Sequence, residues 1–185
     1  MMVRSMVLFV HIVGMLLLFV GLALEWLSLE SLQRSTTPIQ ESPWVPVLRT
    51  LPRYMAMAVG LIVVSGIYLA TRVGVFDLGW VRVSLGSMVF MGILGGPVVR
   101  SQMRALLHAG NGDDKGTLSA VRRQASHPLL RASLRTRVGV GLAIIYLMIG
   151  KPDLGESLFV IGLALVLGVV TSVPQWRAQL SAIDG

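Results

Sequence analysis

The sequence predicts an all-α fold, a polytopic transmembrane helix bundle of about five spans. Three observations predict it. Hydrophobic residues fill 54% of the 185 positions and charged ones only 14%, with a mean hydropathy of +0.75, whereas a soluble domain of this size needs far more polar surface. Apolar runs of span length recur along the chain, and about 20 such residues cross the hydrocarbon core as one helix. Proline, glycine and charge gather between those runs, where turns and loops belong.

The whole chain, 1–185, reads as a single transmembrane domain with spans at about 6–29, 52–73, 80–108, 129–150 and 156–173. The first run, Met6 to Leu29, is too long for a signal-peptide core and ends at Glu25-Trp26 rather than at small residues, so it reads as a retained span. A polar loop follows over 30–51, irregular because it holds Pro38, Pro43 and Pro46. Pro52 opens the second span, since a first helical turn needs no N–H from it. Gly74 to Gly79 turns the chain back. The third span carries Gly95-Gly96-Pro97, where a lost hydrogen bond predicts a kink. A glycine-rich loop lies within 109–128, with a short amphipathic helix from Leu118 to Ala125. The fourth span starts basic, and Lys151 to Gly155 turns it into the fifth.

Orientation follows from the basic residues. Loops on one side hold twelve of the sixteen Lys and Arg residues, and the other side holds Arg4, Arg72, Arg82 and Lys151. The positive-inside rule then puts the N-terminus outside a bacterial-type plasma (inner) membrane, and the C-terminus and loops 30–51 and 109–128 in the cytoplasm. The net charge of +7 and pI near 11 follow from that rule, so the expected partners are the bilayer and its anionic lipids, not nucleic acid. Arg122, Arg123, Arg131, Arg135 and Arg137 are the expected headgroup contacts, with Arg135 and Arg137 snorkelling to the interface. Trp26 and Trp176 are expected at the inner interface and Trp80 at the outer one.

Candidate chemistry sits on the first span. His11, Gly14, Leu18, Gly21, Glu25 and Ser28 recur at steps of three and four, forming one stripe. Ionisable groups avoid lipid and small residues admit a neighbouring backbone, so the stripe should face the bundle. His11 and Glu25 lie about 21 Å apart along the helix, too far for one acid–base pair. Glu25 is expected in a structural ion pair with Arg53 or Arg100. His11 reads either as a neutral histidine hydrogen-bonded to a neighbouring helix or as a cofactor ligand, with Met15 one turn below it. Haem or copper are the cofactors left open, because imidazole and thioether serve as axial ligands to haem and as soft ligands to copper. Met88 and Met91 on the third span could contribute, as could His108 and His127 at the opposite membrane edge. No metal set is complete by spacing. Arg72, Asp77 and Arg82 flank the outer turn as a solvated cluster.

The absence of cysteine excludes disulfides, thiolate metal sites and thiol catalysis. No P-loop, dinucleotide fingerprint, zinc-protease motif or nucleophile elbow occurs, so no enzyme is predicted. The first functional reading is a non-enzymatic accessory or assembly subunit, a homo-oligomer or part of a larger membrane complex, since Gly-lined helix faces suit association. The second is a haem- or copper-handling redox protein using His11. The third is a small-solute or proton transporter using His11 and Glu25, although inverted halves with paired broken helices are missing.

The stretch HIVGMLLLFVGLALEWLSLESL, opening at His11, resembles the start of a family of small predicted integral membrane proteins of unknown function. That group is distantly similar to the membrane domain of copper-resistance D proteins, and RVGVGLAIIYLMIGKPDL, from Arg137, adds to the likeness. The resemblance implies a helical membrane protein, and copper handling if partner ligands accompany His11. The expected outer loops carry no methionine- or histidine-rich segment.

Overall fold

The computed structural model describes residues 2–34, 44–109, 125–126 and 128–171, and of residues 45, 93–100, 102–103, 105–109 and 128 the backbone alone. Five helices and no strand occur among the described residues: α1 (Met2–Arg34), α2 (Trp44–Val73), α3 (Gly79–Ala109), α4 (Pro128–Gly150) and α5 (Leu154–Val170). The fold is all-helical, as the apolar runs require. By length and composition α1, α4 and the Pro46–Val73 part of α2 could each cross a membrane, while α5 is apolar but only 17 residues long. Apolar side chains such as Phe9, Val64, Ile149 and Phe159 are more than two-thirds exposed, and in lipid such faces lie in their matching solvent.

The first two helices are longer than the hydropathy alone suggests. α1 continues to Arg34 and α2 begins at Trp44, so both ends of the expected 30–51 loop are helical. Pro46 falls in the first turn of α2, where its missing N–H has no partner to lose, while Pro52 sits inside the helix rather than starting it. α3 continues through Gly95-Gly96-Pro97 as one helix. Of the expected amphipathic helix only Ala125 is described; it is buried and its carbonyl accepts from Gln33 Nε2 at 2.7 Å. The turns follow local chemistry. Gly74 takes φ +72° after α2, a conformation that costs glycine nothing. Asp153 caps α5 by accepting from the Glu156 N–H at 2.8 Å.

Two close helix pairs frame the interior. α1 and α2 run antiparallel: a Cβ built on Gly14 would stand 3.0 Å from Ile62, and one on Gly21 would collide with Met55. α4 and α5 form the second pair, where a Cβ on Gly168 would stand 2.7 Å from the Cα of Thr136. α3 packs on α2, α4 and α5, and α4 also meets α1. One apolar cluster joins Leu22, Leu29 and Leu32 to Leu48, Leu51, Leu130 and Leu134. The other joins Val83 to Val140, Ile144, Leu147 and Ile161. α4 contributes to both, so it is the helix around which the bundle closes.

Candidate functional site

The α1 stripe faces inward. His11, Gly14, Gly21, Glu25 and Ser28 are buried, and Leu18 is half-buried. Close approach at Gly14 and Gly21 brings α2 against this face, and each ionisable group then meets a different environment.

His11 is 6% exposed and sits against α2. Its Nδ1 lies 3.1 Å from the Ile62 carbonyl and 3.0 Å from Ser65 Oγ. A carbonyl can only accept, so Nδ1 carries the proton, and the Ser65 hydroxyl, which donates to the Leu61 carbonyl, accepts from it. Nε2 is left with a lone pair and no hydrogen-bond partner among the described residues. Gly66 makes room for the ring, since a Cβ there would stand 3.2 Å from His11 Cε1. The imidazole borders a cavity of about 360 Å³ between α1, α2, α3 and α4. Its walls are mostly aliphatic and include Trp80, Ser84, Met88 and Met148, with Arg4 and Lys151 at one rim.

A second cavity, of about 460 Å³, lies toward the other end of α1 and holds Glu25 and Arg137. Val63, Met88 and Ile144 line both cavities and form the wall between them. Glu25 is 1% exposed and pairs with Arg137 at 2.5 Å. This corrects the expected pairing: Arg53 is exposed on α2, and the side chain of Arg100 lies outside the described residues. Arg137 accordingly turns inward instead of snorkelling. It also donates to the Ser133 carbonyl at 3.3 Å, so a guanidinium and a carboxylate satisfy each other inside the bundle.

Other expected residues are distributed as follows. Met15 packs against the Val140–Ile144 cluster and does not line the His11 cavity. Met91 lines the Glu25 cavity, whereas Met88 reaches both. Arg131 donates to Gln33 Oε1 and lies 3.8 Å from Glu30, and Arg135 donates to the Thr171 carbonyl. These two arginines, expected at lipid headgroups, tie α4 to the ends of α1 and α5. Arg122, Arg123, His127 and Trp176, with the side chain of His108, lie outside the described residues. Arg82 pairs with Asp77, and Arg72 stacks over the Tyr68 ring at 5.6 Å. Trp80 lines the His11 cavity and packs against the Val140–Ile144 cluster, with its Nε1 buried. The sequence reading missed Ser65, Ser84, Met148, Arg4 and Lys151 as neighbours of His11, because each lies on another helix or another turn. A serine beside Gly66 in an apolar span was the one local signal available for Ser65.

Chemically, the His11 cavity offers one imidazole lone pair, two thioethers and mostly apolar walls. Among the described residues no group of three or more His, Asp or Glu side chains is placed to hold a metal ion. No curated protein and no solved structure matches the chain. A family model described as "Predicted integral membrane protein (DUF2269)" matches residues 5–152, and the chain belongs to that family of membrane proteins.

Proposed function

We propose that this family member is a non-enzymatic membrane protein that holds a metal-bearing ligand through His11, with haem the foremost candidate. The observation that supports the reading is the state of the imidazole. It is buried, its Nδ1–H is tied to the Ile62 carbonyl, and its unpaired Nε2 borders an apolar cavity of ligand size. A histidine that ligates a metal characteristically gives its other N–H to a carbonyl or carboxylate, which fixes the ring and raises its basicity. Ile62 and Ser65 supply that arrangement here, and Gly66 leaves the ring unobstructed. Haem, when bound, supplies one-electron exchange. The protein's share is to orient the imidazole, keep water out with aliphatic walls and place the thioether of Met88 in the same cavity.

The orientation argued from basic residues puts this cavity in the outer half of an inner membrane, with the Arg131 end of α4 toward the cytoplasm and its anionic lipids. Holding a ligand rather than transforming one suits an accessory subunit of a larger membrane assembly. Copper(I) is the second reading, favoured by Met88 and Met148 on the same cavity, since thioethers are soft ligands; it is also what likeness to copper-resistance D proteins would imply.

Mild-detergent extraction followed by visible spectroscopy and hemin titration tests the proposal. The expected result is a Soret-region shift on adding hemin that His11→Phe and His11→Gln abolish while the proteins keep their helical circular dichroism. A protein that takes up neither hemin nor copper(I), by spectrum and by thermal shift, would overturn it and return the role to assembly alone.

A further inference from the structure

We infer that the occupant of the His11 cavity is an amphipathic anion, with an apolar body in the cavity and acidic groups held between Arg4 and Lys151. The inference rests on the ligand-holding reading above and deepens it by naming the chemical class.

Hydrogen-bonding groups in the cavity wall are few: the His11 Nε2 lone pair, one indole N–H and one hydroxyl. Trp80 Nε1 and Ser84 Oγ are buried without a hydrogen-bond partner among the described residues, and both residues line this cavity. An indole N–H can only donate, and a buried donor is normally matched by an acceptor. Ser84 is the more telling of the two. Three other buried serines, Ser28, Ser65 and Ser157, each donate to the carbonyl four residues back, the usual resort of a serine within a helix. Ser84, 7% exposed, makes no such bond. Trp80 and Ser84 are one turn apart on α3, and their two polar atoms are set in the wall behind the cavity rather than open to it.

The rim adds charge of one sign. Arg4 and Lys151 line the cavity, no aspartate or glutamate does, and neither cation has an ion-pair partner among the described residues. Lys151 stands at φ +48°, where a side chain is disfavoured and glycine is the usual occupant. The Glu25 cavity differs, because Arg137 is neutralised by Glu25. An anionic end therefore fits the rim of the His11 cavity and not its neighbour. A bare copper ion would meet two cations there. A dicarboxylated macrocycle would meet one cation per carboxylate, and an anionic lipid would meet the same pair with its headgroup.

The test uses metal-free protoporphyrin IX and its dimethyl ester, titrated by fluorescence into the full chain in phosphatidylcholine nanodiscs. The diacid is expected to bind at least about tenfold tighter than the diester, a preference worth about one charge-assisted contact. The paired substitution Arg4→Gln and Lys151→Gln should bring the ratio to about one, with thermal unfolding confirming a folded protein. His11→Phe should leave the ratio intact, because no metal is involved. Equal affinities for diacid and diester, or a ratio unmoved by the paired substitution, overturn the inference even where hemin still shows its His11-dependent band. An intact ratio with no hemin band overturns the ligation reading alone. Repeating the titration in phosphatidylglycerol nanodiscs separates the sources. Porphyrin excluded there, but not from the paired variant, assigns the anion to a lipid headgroup; porphyrin retained assigns it to the macrocycle; and no binding in either lipid overturns the inference.

Discussion

The two halves of the interior place one ionisable residue of α1 each, Glu25 and His11, in opposite situations. In the Glu25 half the charge is closed on itself: Arg137 answers it at 2.5 Å within the wall of the larger cavity. In the His11 half the imidazole is anchored on one side only, two buried donors go unmatched, and two cations stand at the rim. The same helix face thus carries a closed ion pair at one end and a histidine with an unpartnered nitrogen at the other. A buried polar group whose partners are all internal holds a fold together; the ligand proposed above is what would answer the other kind.

That contrast can be broken most forcefully at the ion pair. Glu25→Ala strands the Arg137 guanidinium, and removing one partner of a buried pair is expected to destabilise the protein by about 3–5 kcal/mol, read as thermal unfolding in detergent. The double change Glu25→Leu with Arg137→Met should recover most of that loss; if it does not, the pair is more than a joint. Gly168→Ala comes next. Its Cβ would press on the backbone of Thr136, so about 1–3 kcal/mol is expected from overpacking between α4 and α5, with the α1–α2 pair unaffected in cysteine cross-linking.

In the His11 half the stability effect should be small and the ligand effect large. His11→Phe removes one hydrogen-bonded anchor, about 1 kcal/mol. It should also reduce the stabilisation that hemin confers on the wild type, about 2.7 kcal/mol at a hundredfold excess over Kd, to what the porphyrin body and its carboxylates supply. If His11→Phe proves as damaging as Glu25→Ala without ligand, the imidazole is a second joint and the two halves are alike. The smallest effect belongs to the exposed pair between Arg82 and Asp77. Arg82→Gln should change unfolding by less than about 1 kcal/mol, as solvent-exposed pairs do.

Much of this was legible in the residues. A single helix carries its own periodicity, so the buried stripe from His11 to Ser28 could be drawn without knowing any neighbour. Helix ends were less legible, because a proline cluster marks a loop and a helical first turn equally well, and Pro46 occupies the latter. The partner of Glu25 was not legible at all. Arg137 lies 112 residues away, on a stretch whose basic character suggested the membrane interface, and nothing along the chain distinguishes it from Arg53. The same holds for Met148, Ser84, Arg4 and Lys151 around His11.

By itself, then, the sequence determined that the chain is a bundle of apolar helices and which face of the first one avoids lipid, because hydrophobicity and helical period are properties of consecutive residues. Only the tertiary structure decided that Glu25 is neutralised and that His11 keeps a free lone pair beside an apolar cavity. Those outcomes depend on how far α2 and α4 slide along α1 before their side chains interlock, and that register is set by contacts between helices rather than within any one of them.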